Sequence, residues 1–140
     1  MDFKKIDSKY IIRIEKGEEI VNTLEKFCRE NDLQAGKITG IGAAGEIKIG
    51  HFETKTKEYH SKKFEGDLEI APLVGNITTK DGEPYLHIHI NFSDEELNSH
   101  AGHLNSAIVS ATFECIIEEF ESEIGRKFSE EIGLNLFKLN

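Results

Sequence analysis

The chain has 140 residues, a length that suits one domain and lets it bury roughly two-thirds of its unfolded surface without a disulfide or a structural metal. It is 38% hydrophobic and 31% charged, and 26 acidic residues against 17 basic ones leave a net charge of -9. That balance argues against non-specific nucleic-acid binding, which phosphate neutralisation drives, and no apolar run approaches membrane-spanning length.

The N-terminal Met-Asp-Phe-Lys-Lys-Ile-Asp has no apolar core, so no secretory signal is expected and a cytoplasmic location is. Phe3 to Ile14 reads as a strand region, clearest at Tyr10-Ile11-Ile12-Arg13-Ile14, and Gly17 ends it. Glu18 to Asn31 is the one well-marked helix. Ile20, Val21, Leu24, Phe27 and Cys28 form a single stripe, and Glu18 and Glu19 suit the positive end of the helix dipole. Cys28 and Cys115 belong to no Cys-x-x-Cys pair and are expected as buried free thiols in a reducing compartment.

Gln34 to Ile41 predicts a strand that runs into a Gly-rich turn. Gly40-Ile41-Gly42-Ala43-Ala44-Gly45 matches G-x-G-x-x-G literally, but a dinucleotide site needs a helix N-terminus next, and an alternating strand, Glu46 to Phe52, follows instead. The glycines are read as a bulge or a close approach of backbones. Thr54 to Glu58 is a polar turn, Tyr59 to Phe64 a short charged strand, and Leu68 to Thr79 a further strand with a bend or edge position at Ala71-Pro72. Asp81-Gly82 marks a hairpin.

The hairpin leads into Tyr85-Leu86-His87-Ile88-His89-Ile90-Asn91-Phe92. Strict alternation puts Leu86, Ile88, Ile90 and Phe92 on one strand face and His87 and His89 on the other. A polar connection, Ser93 to His100, precedes Gly102-His103-Leu104. If the two strands are antiparallel neighbours, His103 returns beside His87 and His89, and three neutral imidazoles can hold a divalent metal with one position open. The plainer alternative is a polar, solvent-facing row. His100 is read as a solvated loop residue, and Gly102 as the residue that frees the backbone to turn His103 inward.

Ser106 to Phe120, rich in β-branched residues, reads as a long strand, and Glu118 to Glu123 as its solvated acidic end. Phe128 to Ile132 is expected as a helical turn stopped by Gly133, and Leu134 to Leu139 as a short closing strand. The expected class is α/β of the α+β type, a single domain over 1-140 with a central, mostly antiparallel sheet of about seven strands and one main helix. One helix covers one sheet face, so self-association or a sheet curled into a partial barrel must cover the rest.

Taken in order, Gly36-Lys37-Ile38-Thr39-Gly40-Ile41-Gly42-Ala43, Gly50-His51-Phe52, Phe64-Glu65-Gly66, Gly75-Asn76-Ile77, Leu86-His87-Ile88-His89, Gly102-His103-Leu104 and Val109-Ser110-Ala111-Thr112 resemble the PPC (plants and prokaryotes conserved) domain over nearly the whole chain. The resemblance implies a homotrimer. It also implies a metal site, zinc or another divalent ion, at His87, His89 and His103. Plant members bind DNA through an AT-hook arm, which this sequence lacks. Their partner-binding Gly-Arg-Phe-Glu-Ile-Leu is here Gly66-Asp67-Leu68-Glu69-Ile70-Ala71, so the partner function is not carried over, and the DNA-binding one transfers only weakly.

Three functions remain in view. The first is a trimeric protein with a histidine site for a metal or small ligand and a regulatory role, with no assigned catalysis. The second is a zinc-dependent enzyme acting on a small molecule, with Glu83, Asn91 and Asp94 as the acid-base candidates nearest in sequence. The third is a DNA-binding regulator, against which the net charge weighs.

Overall fold

The structure, a computed structural model, describes residues 1–139. Eight strands and one helix follow in the order β1 (Asp2–Ile6), β2 (Lys9–Glu15), α1 (Ile20–Glu30), β3 (Gly36–Glu53), β4 (Glu58–Lys80), β5 (Glu83–Ser93), β6 (Ser99–Glu119), β7 (Gly125–Ser129) and β8 (Leu134–Lys138). The strand region expected over Phe3 to Ile14 is a hairpin, turned at Asp7, whose φ of 51° is left-handed. An Asp tolerates that conformation, so the break carried no Gly or Pro to announce it.

The helix begins at Ile20, two residues later than the periodicity suggests. Glu19 is its N-cap: the carboxylate accepts from the Val21 and Asn22 N–H groups. It also accepts from Ala107 N–H at 2.9 Å, which pins the helix start to β6. Asn31 closes the other end, its side-chain amide donating to Phe27 O at 2.9 Å. Ile20, Leu24, Phe27 and Cys28 are buried against Tyr10, Ile12, Phe113 and Cys115 of the sheet.

The expected Gly-rich turn after Ile41 is not a turn. β3 runs straight through it as one 18-residue strand with register shifts at Gly40/Gly42 and Ala44/Glu46. A Cβ at Gly40 would stand 2.7 Å from Cys115 Cβ, and one at Gly42 would stand 2.7 Å from Phe113 Cα. The glycines therefore let β3 and β6 cross closely, and the run from Gly40 to Gly45 is strand, not a phosphate-binding loop. Likewise the two strands expected around Gly66 are one strand, β4; Gly66 (φ 125°) bends it, and its pairing with β5 slips between Ile70 and Leu73 around Pro72.

β3 pairs with β4 and β6, and β5 pairs with the same two strands, so four strands close a ring. The long strands curl enough to do this because bulges and glycines interrupt their ladders. Self-association and curling were both available to the sequence; within the chain, curling is what occurs. It leaves Ile11, Ile41 and Ile116 exposed on the side of β2, β3 and β6 that the helix does not cover.

Past Glu119 the chain forms the β7–β8 hairpin. Phe128 lies in β7, not in a helical turn; the turn spans 130–133 and closes with Gly133 N–H donating to Ser129 O. Gly125 makes one parallel bridge to Thr79, which renders an otherwise antiparallel sheet mixed.

Candidate metal centre

On β5 the alternation is as expected: Ile88, Ile90 and Phe92 are buried, and His87 and His89 occupy the opposite face. Buried isoleucines hold that register, because a slip of one residue would exchange them with the imidazoles. β6 runs antiparallel beside β5 and sets His103 directly across from His89. The three ring centroids are 5.1 Å (His87–His89), 5.3 Å (His87–His103) and 5.5 Å (His89–His103) apart. One ring nitrogen from each lies within 4.8 Å of the others.

Strand parity decides which histidine joins. Leu104 is buried, so His103 on the neighbouring position faces the other way, while His100 shares the Leu104 side. His100 is thus not in the loop, and it is only partly exposed. It is on β6, its ring centroid 4.6 Å from that of Phe64 and 5.4 Å from that of Phe92, with Nε2 3.0 Å from Asp94 Oδ2. Asn105 is the extra residue of a bulge between the pairs Ile49–Leu104 and Lys48–Ser106, and it returns Ala107 to the core. Gly102 does not turn the backbone, for its φ is ordinary; its part is close approach, since a Cβ there would lie 3.0 Å from Gly50 O.

Burial is the largest cause that pushes His87 down to about 4, and the His103, His89 and Arg126 charges push the same way. His103 is lowered too, by burial first and by His89 second. Both rings are therefore neutral near pH 7, which is the metal-binding form. The spacing fits the ion. Two imidazole nitrogens each about 2.0–2.1 Å from a tetrahedral zinc lie about 3.3 Å apart. His87 Nε2 and His89 Nε2 are 3.2 Å apart.

Around the cluster, Tyr59 lies edge-on to His103 with centroids 6.3 Å apart, its hydroxyl donating to Asn105 Oδ1 at 3.0 Å. Gly50, the β3 partner of His103, makes room for it: a Cβ there would overlap the Tyr59 ring. Of the acid-base candidates, Glu83 pairs with Arg29 at 3.0 Å, and Asp94 is held by His100 on the other face. Glu83 has the parity of His87 but stands four residues away at the start of β5, whereas Asn91 is two residues from His89, and its Oδ1 accepts from Ser99. A second group, Glu53, Glu58 and His60, gathers at the end of the β3–β4 hairpin, but Glu58 and His60 are exposed and nothing buries the ring as His87 is buried.

Arg126 of β7 is the residue the sequence reading missed. Its guanidinium donates to Thr78 Oγ1 (2.9 Å), Asn135 O (3.1 Å) and Asn76 Oδ1 (2.5 Å), and it lies over the Tyr85 and Phe137 rings at 5.0 and 4.3 Å. Asn76 is the direct cross-strand partner of His87. A signal was present: Arg126-Lys127 is the one basic pair in an acidic run from Glu118 to Glu131.

No curated protein matches the chain. Among solved structures, a candidate DNA-binding protein of Bacteroides thetaiotaomicron is 39% identical, with a TM-score of 0.96 over 98% of this chain and 96% of its own. A metal-containing protein of Archaeoglobus fulgidus is 31% identical, with a TM-score of 0.87 over 99% of both chains. A plant- and prokaryote-conserved (PPC) protein of Pyrococcus horikoshii is 31% identical, with a TM-score of 0.85 over 98% of this chain and 93% of its own. The family profile described as the Plants and Prokaryotes Conserved (PCC) domain matches residues 1–121, and the chain belongs to that family.

Proposed function

We propose that this chain acts as a single PPC-type unit, assembled as a homotrimer, that holds one divalent metal on His87, His89 and His103, with zinc the first candidate. The observation that carries the reading is the gathering of three ring nitrogens within 4.8 Å on one face, with His87 and His89 spaced as zinc requires. The similarity to a metal-containing archaeal protein supports it. Support for the assembly is the exposed apolar face carrying Ile11, Ile41 and Ile116, since apolar surface in such a patch is covered when a second copy docks. The role is the binding of a metal or small ligand in a regulatory setting.

The second reading is a metal-dependent enzyme. It is favoured by the ligand count: three histidines leave a fourth position, the arrangement of catalytic zinc, and zinc there would supply Lewis acidity and an acidified water. No carboxylate joins the three histidines among the described residues, so a general base would have to come from elsewhere. The third reading, DNA binding, rests on the description of the Bacteroides relative, and the net charge of -9 opposes it.

Elemental analysis of untagged protein, beside a His87→Ala variant, tests the metal. The expected result is near one zinc per chain in the parent and little in the variant; equal metal in both would overturn the site. Light scattering at micromolar concentration tests the assembly, with a trimer expected and a monomer overturning it. Salt-dependent retention on duplex DNA would favour the third reading.

A further inference from the structure

The geometry points to a carboxylate-binding half-site beside the three histidines, with Arg126 as its cation. This rests on the metal reading above and names the class of ligand that the fourth position takes: a small carboxylate anion.

Arg126 is half-buried, yet no carboxylate pairs with it among the described residues. A buried cation without a counter-charge is costly, and burial lowers its proton affinity here. The side chain is nonetheless locked. Three of its five N–H groups bond to Thr78, Asn135 and Asn76, and two aromatic rings flank it. Two N–H groups, one on each Nη, are uncommitted. A carboxylate can accept charge-assisted hydrogen bonds from these groups.

Its position matters as much as its chemistry. Arg126 reaches the row through Asn76, which stands directly across the ladder from His87, and opposed residues on a pair of strands have Cβ atoms about 5 Å apart. A guanidinium that close repels a bound dication. An anion seated between them removes that conflict: one oxygen completes the metal's coordination, and the carboxylate also accepts from Arg126. The hairpin that brings Arg126 lies beyond residue 121, where the family profile ends, so this half of the site is added by the C-terminal segment.

The test uses cobalt(II) in place of zinc, because its visible absorption reports what occupies the fourth position. Acetate and chloride are titrated into cobalt-loaded parent, Arg126→Gln, Arg126→Lys and, as a control for net charge, Arg29→Gln. Zinc affinity and Tm are measured for each. The expected result is that acetate shifts the parent spectrum, and that Arg126→Gln weakens acetate about ten- to a hundredfold, the loss expected for one charge-assisted pair. Arg126→Lys should recover part of this, Arg29→Gln should match the parent, and chloride should respond little to Arg126. If acetate leaves the parent spectrum unchanged, or binds Arg126→Lys and Arg126→Gln as it binds the parent, Arg126 only fastens the hairpin and the proposal fails. A parent that takes up no cobalt would overturn the metal reading and this inference together; a parent that binds cobalt but not acetate overturns this inference alone.

Discussion

His89 on β5 and His103 on β6 are direct partners across an antiparallel ladder, although 13 residues and a turn separate them in the chain. The turn does the aligning. Asp94 accepts from the Glu96 and Asn98 N–H groups through one side-chain oxygen, and Leu97 takes the left-handed φ of 63° that closes the loop.

The three imidazoles are expected to act as one set of ligands. Replacing His87, His89 or His103 by Ala should each weaken zinc by more than about a hundredfold, since loss of a supporting outer residue alone typically costs 10–100-fold. His100→Ala should leave affinity near the parent value because that ring lies on the other face, and so should His60→Ala. Competition against a chromophoric chelator measures this, and a His100→Ala variant that lost zinc as His103→Ala does would contradict the parity argument.

The metal-free protein should lose stability as pH falls. His87 is held down to about 4 in the folded chain, against about 6.5 unfolded, so between those values the unfolded chain binds more protons. Folding stability from this ring is therefore complete above about pH 6.5 and is lost progressively down to about pH 4. His103 shifts in the same direction and adds to the slope. Urea titrations of chelator-treated protein at pH 7 and pH 5 should differ accordingly, and His87→Gln should flatten the difference.

Gly42→Ala tests the structural account of the glycine run. A Cβ there meets the Thr112 carbonyl and the Phe113 Cα, both backbone atoms that cannot swing aside. A loss of about 3 kcal/mol or more is expected from such an overlap. Gly45→Ala should cost much less, because its nearest neighbour is the Ser110 Cβ at 3.6 Å. Thermal melts of the two variants decide it; equal Tm values would remove the close-crossing explanation.

Both cysteines are buried, and burial pushes each thiol up to about 12. Neither should react with a thiol reagent at pH 8 while the protein is folded, and both should react in denaturant. Rapid labelling of the native protein would show that the helix–sheet interface opens readily.

By itself the sequence determined the elements with a clear period. The helix stripe from Ile20 to Cys28 and the alternation from Leu86 to Phe92 depend on local spacing alone, and that spacing already put His87 and His89 on one face. An antiparallel pairing of the two strands, taken as a condition, already returned His103 to them, and the resemblance in the ordered motifs reached the family and implied the same three histidines. What spacing could not supply was anything set by a partner strand far away. The run Gly40 to Gly45 looks like a turn until β6 is seen crossing it, and Asp7 hides a hairpin because nothing local forbids a longer strand. Which of His100 and His103 joins the cluster follows from the burial of Leu104 and the bulge at Asn105, features of the β3–β6 pairing. Arg126 is the clearest case: no periodicity connects it to His87, and only the C-terminal hairpin folding back onto β4 brings its charge beside Asn76. Long-range pairing decides such contacts because the chain must close a large loop before they exist, and local preferences carry no record of where that loop will close.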